Sequence, residues 1–187
     1  MIASSSCRAS VASGHPQVTA AAGAILSAGG NAFDAAVAAG FAAAIAEPTL
    51  TSLGGGGFLL AHTKQRQAIL FDFFVDTPGQ GRSISRLELA PHFLPITLRF
   101  PSSEQTFNIG LGSVATPGAL QGYLHIHRRL GRLPLQEVLA PAIHLARTGI
   151  AINVKQAYLL DLLRPIMTLT DTGRALFAPE MCIRDSS

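Results

Sequence analysis

The sequence predicts an α+β chain, on three observations. Two apolar stretches with helical spacing open it, Pro16 to Ala28 and Ala32 to Ala46. A glycine run and a hairpin pattern follow, from Gly54 to Phe73. Further helical patterns fill the second half.

Val18, Ala21, Ala22, Ile25 and Leu26 share one helical face. Gly29-Gly30 ends that helix, because glycine accepts the left-handed conformation of a helix C-terminus. Asn31 is then a good N-cap, and Asp34 stands three residues on, where a carboxylate meets free backbone N–H groups and the positive helix end. The second helix is nearly all Ala, with Val37, Phe41 and Ile45 at i, i+4, i+8; small residues all round predict close packing on several sides and a buried helix. Glu47-Pro48 stops it. Gly54, Gly55, Gly56 and Gly57 permit backbone conformations closed to other residues and let a buried helix and the hairpin approach closely. Phe58 to His62 and Gln67 to Phe73 read as two strands joined by the polar turn Thr63 to Arg66, and Pro78-Gly79 breaks the second.

Gly81 to Phe107 is poorly patterned, with Pro91, Pro95 and Pro101, and is expected to be irregular with one or two short strands. Gly112 to Ala115 reads as a strand. Thr116-Pro117-Gly118 turns it into a helix reaching about Leu130, with Gly131 as its end. Pro134 fits the first position of another helix, closing at Gly149, which Pro141 should kink or split. Asn153 caps a last helix to about Leu163. No internal repeat is present.

The chain has 187 residues, 48% of them hydrophobic and 13% charged, so it can bury a core and is too apolar for a disordered protein. Low charge also suits a subdomain whose faces meet other protein layers. The formal net charge is +3, and the one dense basic cluster is Arg128, Arg129 and Arg132 with His125 and His127. It has no aromatic interleaving, which argues against a nucleic-acid partner. The longest apolar run, Ala35 to Ala46, is too short for a membrane span, which takes about 20 residues. The N-terminus lacks a basic start followed by a Leu-rich stretch, and a cytoplasmic protein is the expectation. Cys7 and Cys182 make neither a disulfide framework nor a metal site, and no cofactor is expected.

His15-Pro16, then Gly29-Gly30-Asn31-Ala32-Phe33-Asp34-Ala35-Ala36-Val37-Ala38, then Glu47-Pro48, then Gly54-Gly55-Gly56-Gly57-Phe58 resemble the start of the gamma-glutamyltransferase family, relatives of the enzymes that cleave glutathione. Val114-Ala115-Thr116-Pro117-Gly118 and the run from Gly131 to Ile143 look like the same family in the same order. The resemblance covers about Met1 to Phe177. It implies part of an N-terminal nucleophile hydrolase, an α-β-β-α sandwich that is incomplete in this chain. It also implies a precursor that cuts itself, so that a new N-terminal Thr of the second chain attacks a γ-glutamyl amide with its own α-amino group as base. The acyl group then passes to water or an amino acid. Residues 1–180 are thereby read as the N-terminal part of a large subunit, partnered by its own C-terminal catalytic subunit. The nucleophile is expected beyond Ser187. No catalytic residue is assigned here, and Thr49, Thr51, Thr116 and Thr172 read as loop and turn residues.

Met181 to Ser187 fit no pattern. They also read as a translation of ATG-TGT-ATA-AGA-GAC-AG, which resembles a transposon end, so the natural chain is expected to stop near Glu180.

One departure bears on substrate. In the best-known members of the family that the chain resembles, the second hairpin strand ends in Asp-Phe-Arg-Glu or a close variant, and that Arg is expected to grip the substrate's α-carboxylate, a task suited to a bidentate guanidinium. Here the strand reads Asp72-Phe73-Phe74-Val75, with Phe74 at the place of the Arg. Losing one charged hydrogen bond costs about 1.5–3 kcal/mol, roughly ten- to a hundredfold in affinity. Arg82 or Arg86 would have to fold back to replace it. Two substrate classes therefore stand open: a γ-glutamyl amide held differently, or another amide cleaved by an acylase-like relative. Asp72, beside the expected pocket, is a further candidate contact. A third class, a non-catalytic remnant, predicts unpaired strand edges and association.

Other motifs have simpler explanations. Gly110-Leu-Gly112-Ser-Val-Ala115 matches G-x-G-x-x-A, but Thr116-Pro117-Gly118 delays the helix that a dinucleotide site needs. His125 and His127, two apart on a helix, point to different faces and are no metal pair. His144, among apolar helix residues, reads as a satisfied or half-buried histidine.

Overall fold

A computed structural model describes residues 9–79 and 93–178. The chain divides into two compact units, residues 1–76 with 117–150 and residues 77–116 with 151–187.

The first unit is built around one alanine-rich helix. Helices α1 (Pro16–Ser27) and α2 (Ala32–Ala46) fall where the spacing puts them. Their joint is Gly29, at φ 92°, as the glycine pair requires. Strands β1 (Phe58–His62) and β2 (Ala68–Asp72) form the expected antiparallel hairpin, with Phe58 opposite Asp72 and His62 opposite Ala68. Helix α3 (Ala119–Leu130) ends at Gly131, and α4 (Leu135–Thr148) at Gly149. Helix α2 packs against α1, α3 and α4. Its Val37, Ala38 and Ala42 are completely buried, with Ile126 of α3 and Val138 of α4. Only side chains as short as Ala let three helices approach one helix this closely. At Gly40 even a methyl is too much, because a Cβ there would stand 2.6 Å from the Tyr123 ring.

Pro141 does not split α4, which runs through it as one element. The carbonyl that its missing N–H leaves free belongs to Glu137, an exposed residue that water can serve. Pro134 stands at the N-cap of α4 rather than inside its first turn.

The second unit holds a second hairpin, β3 (Leu94–Phe100) and β4 (Ser103–Ile109), seven residues each and joined by Pro101 and Ser102. Strand order is more regular here than the sequence suggests. Pro95 is tolerated because a two-stranded sheet leaves one edge of β3 without a ladder partner. Gly112 to Ala115 is not a strand: Leu111–Ser113 is a short 3-10 turn after Gly110 at φ 104°, with the Ser113 hydroxyl donating to the Gly110 carbonyl. Asn153 caps α5 (Val154–Met167) through a capping box with Gln156. This helix passes Leu163 and Pro165 and is not the last: α6 (Asp171–Phe177) follows and takes Thr172 out of the expected turn. Helix α5 packs on β3, whose Leu98 is buried.

Among the described residues no helix is long and apolar enough to cross a membrane, and no cluster of metal-ligating side chains forms. Cys7, Arg82, Arg86 and residues 181–187 lie outside the described residues.

Candidate functional site

The glycine run, the end of β2 and the start of α3 come together at one place. Gly57 and Phe73 exchange backbone hydrogen bonds at 3.2 and 3.1 Å, extending the hairpin beyond its last ladder pair. The Gly55 carbonyl accepts from the N–H groups of both Gly118 and Ala119, at 3.0 and 2.9 Å. Those two donors open α3 and would otherwise be without intrahelical partners. A Cβ at Gly56 would stand 2.5 Å from the Val75 nitrogen, so the chain there passes directly against the backbone after β2. The glycine run thus joins the hairpin to the start of α3, not to the buried helix α2 that the sequence suggests.

Phe73 and Phe74 go opposite ways, as consecutive strand residues do. Phe73 turns toward α3. A Cβ at Gly118 would collide with its carbonyl and one at Gly122 with its side chain, and its ring meets Tyr123 edge-on at 5.5 Å. Phe74 turns to the open face with Phe58, Leu60 and Leu70, all of them exposed. The Phe74 ring lies parallel to that of Phe58, 10° apart in plane and 5.3 Å between centroids. Asp72 shares that end of the strand, and its Oδ1 accepts from the Phe74 N–H at 3.0 Å. Along this face of the ladder the basic residue present is His62, in the pair farthest from Phe58.

The arginines of α3 share a cleft with Asp72, and one of them stands against the buried Phe71. The Arg129 guanidinium lies 5.6 Å over the Phe71 ring, and His125 meets the same ring edge-on at 5.8 Å. Phe71 is buried against the core side of the hairpin. A cleft of about 560 Å³ beside β2 is lined by Asp72, Phe73, His125, Arg128 and Arg129 among others. A second, more apolar one of about 450 Å³ lies between α2 and α4, around Phe41, Ile45, Leu53 and Ile143, and includes Thr51.

Asn31 and Asp34 do more than cap α2. Asn31 accepts from the N–H groups of Phe33 and Asp34, and Asp34 accepts from that of Asn31, a complete capping box. The Asn31 amide also donates to the Leu130 carbonyl at 2.7 Å. The Asp34 carboxylate, fully buried, accepts from the N–H groups of Arg132 and Leu133. His127 donates from Nε2 to the Leu133 carbonyl, 3.8 Å from Asp34. Its neighbour but one, His125, faces Phe71, so the two histidines do diverge. His144, expected half-buried, is exposed.

Sequence reasoning missed Phe58 as the partner of Phe74. The signal was present: pairing Phe58 with Asp72 puts Phe74 on the same face, one step beyond the ladder.

The sequence profile described as gamma-glutamyltranspeptidase matches residues 18–184. The chain belongs to the gamma-glutamyltranspeptidase family. Two relatives stand at the same identity. The Acylase ACY 1 proenzyme of Pseudomonas sp. (strain SE83) is 36% identical over 146 residues, 78% of this chain and 26% of the relative. The glutathione hydrolase proenzyme of Escherichia coli (strain K12) is 36% identical over 129 residues, 69% of this chain and 21% of the relative. Among solved structures, the gamma-glutamyltranspeptidase from Pseudomonas nitroreducens complexed with L-DON superposes with a TM-score of 0.71 at 26% identity, over 91% of this chain and 48% of the other. The mixed helix-and-strand architecture is thus that of the family's N-terminal nucleophile hydrolase fold, carried in part. The chain spans about a quarter of the length of the curated relatives it matches.

Proposed function

We propose that this chain is the N-terminal part of a self-processing amide-cleaving enzyme and is inactive without its own C-terminal catalytic subunit. In that subunit the hydroxyl of a newly exposed N-terminal Thr attacks the amide carbonyl. Its proton passes by way of the Thr α-amino group to the leaving amine, and the resulting ester is resolved by water or an amino acid. The role of the present residues is to build the donor side of the pocket. What supports this is the junction at Gly55, which ties the hairpin end carrying Asp72 and Phe74 to the start of α3.

Two substrate classes share this chemistry. A γ-glutamyl amide of the glutathione class is favoured by the family and by the E. coli relative. Another amide, taken by an acylase-like enzyme, is favoured by Phe74, a ring where a guanidinium would hold the α-carboxylate. The test is the whole protein, checked for cleavage into two chains with Thr at the new N-terminus, then assayed with a γ-glutamyl anilide and a panel of acyl amides. Strong γ-glutamyl turnover that survives Phe74→Ala and fails on Arg82→Ala would end the acylase reading. A precursor that never cleaves would make the chain a non-catalytic remnant.

A further inference from the structure

We infer that the outer edge of β2 and the basic face of α3 form the seat for an extended segment of the C-terminal catalytic subunit, and that this segment carries an acidic side chain opposite Phe71. The inference rests on the two-chain reading above and adds to it where the second chain docks and by what chemistry.

The outer edge of β2 is open. Gly57 and Phe73 exchange both of their backbone hydrogen bonds, so they form a bonded pair of the antiparallel ladder. Bonded and non-bonded pairs alternate along such a ladder. With Phe58 opposite Asp72 and Leu60 opposite Leu70, Asp72 and Leu70 fall in the non-bonded pairs. Their N–H and C=O groups therefore point away from β1. The sheet has two strands, so among the described residues no third strand receives them. Both residues line the cleft of about 560 Å³, together with Phe71 and Phe73, and no residue of β1 does. The cleft thus runs along the open edge. A row of unpaired backbone groups fits an extended chain better than a compact ligand.

The cleft is also charged. Gln121, His125, Arg128 and Arg129 line its other wall, all of them exposed. At i, i+4, i+7 and i+8 they share one face of α3. Neither Arg128 nor Arg129 pairs with a carboxylate among the described residues. Asp72 is the acidic residue of the lining, but its side chain, next to Phe71 in the strand, points to the other face of the hairpin. His125 and Arg129 both meet the Phe71 ring, so the basic groups gather there. A residue paired opposite Phe71 on an added strand shares its face and points at α3. An acidic side chain in that place meets Arg128 and Arg129; a basic one is repelled. The chain spans about a quarter of the length of its curated relatives, so most of the protein that can supply such a strand lies outside it.

The test uses the whole protein and amide hydrogen exchange resolved to single residues. Leu70 and Asp72 should exchange at least about a hundredfold more slowly than free peptide, as backbone N–H groups in a stable ladder do. Arg128→Glu should lower the urea concentration at which the two processed chains part in gel filtration, and weaken the salt dependence of that point. Lys64→Glu, an equal charge reversal on the exposed hairpin turn, should change neither. Exchange at Leu70 and Asp72 close to the free-peptide rate, in a protein that self-cleaves, overturns the inference and leaves the amide-cleaving reading standing. So does a separation of the chains that is indifferent to Arg128→Glu. Protection that appears only on adding glutamate assigns the cleft to a small anion, and protection lost on dilution to a second copy; either overturns the inference. A precursor that never self-cleaves defeats the amide-cleaving reading alone: slow exchange at Leu70 and Asp72, with unfolding of the uncut chain at lower urea in Arg128→Glu, would still support the seat.

Discussion

Replacing Asp34 by Ala should be among the most damaging single changes in the first unit. The carboxylate is fully buried and takes the N–H groups of Asn31, Arg132 and Leu133 at 2.9 to 3.3 Å. Alanine leaves all three donors without their acceptor. Each orphaned donor costs about 1–3 kcal/mol. The sites are only part-buried and water will recover some of this, so the low end applies and the total is about 3 kcal/mol. That is a large fraction of the ~5–15 kcal/mol that holds a domain folded. Asp34→Asn should cost less but not little. Oδ1 and Oδ2 both accept, so whichever way the amide is turned its NH₂ meets a backbone N–H. The readout is amide hydrogen exchange in the peptide spanning Gly131 to Leu135, compared in the whole protein with and without the substitution. A loss of about 3 kcal/mol corresponds to faster exchange there by roughly a hundredfold. Unchanged protection at Arg132 and Leu133, with an unchanged thermal midpoint, would refute the assignment of Asp34 as the tie between α2 and the α3–α4 turn.

Three further outcomes are expected. Gly122→Ala drives a methyl into the Phe73 side chain and should destabilise the hairpin–α3 contact by about 1–3 kcal/mol, read as a fall in thermal midpoint, while Gly23→Ala, where a Cβ meets nothing within 4 Å, should not lower it. Burial raises the Tyr123 hydroxyl above its ordinary value of 10.0, so the folded state keeps the phenol neutral after the unfolded chain has begun to ionise. Its contribution is complete below pH 10 and is lost as pH rises through the folded value, so Tyr123→Phe should narrow the drop in stability on the alkaline side, measured by denaturation across that range. Residues 1–180 expressed without the rest of the protein should associate or precipitate, because β1 and β2 expose Phe58, Leu60, Leu70 and Phe74 together with unpaired strand edges; a well-melting monomer in sedimentation would contradict this.

What the sequence reveals depends on how local the determining physics is. The first two helices, their glycine joint and the Asn31–Asp34 cap depend on residues within a turn of one another, and they stand where pattern alone puts them. The same holds for Asn153 and Gln156. Errors arise where a local rule meets a non-local partner. Gly112 to Ala115 reads as a strand but joins no ladder, and a 3-10 turn over Leu111–Ser113 follows Gly110 at positive φ instead. Pro141 and Pro165 break helices in isolation, yet here each costs one hydrogen bond in an otherwise packed element and the helix continues. The reach of Asp34 to Arg132 and Leu133 spans nearly a hundred residues, and no periodicity reports it.

The two phenylalanines after Asp72 separate scaffold from specificity. Phe73 is held by contacts that leave no freedom of residue: a carbonyl against Gly118, a side chain against Gly122, a ring against Tyr123. Any change there disturbs the junction that ties the glycine run to α3. Phe74, one peptide further, is bound by its backbone and free at its ring, so its side chain can change without moving the hairpin. The constraint on Phe73 leaves the side chain at Phe74 free to change without moving the framework. The last expectation rests on the proposed self-processing: Phe73→Ala should abolish it through loss of folding, a cost of about 3–5 kcal/mol for a packed Phe, while Phe74→Ala should leave it intact and alter only which amide is used. Equal loss of processing in both variants, seen as persistence of the uncut precursor on a gel, would show that the two positions are not separable.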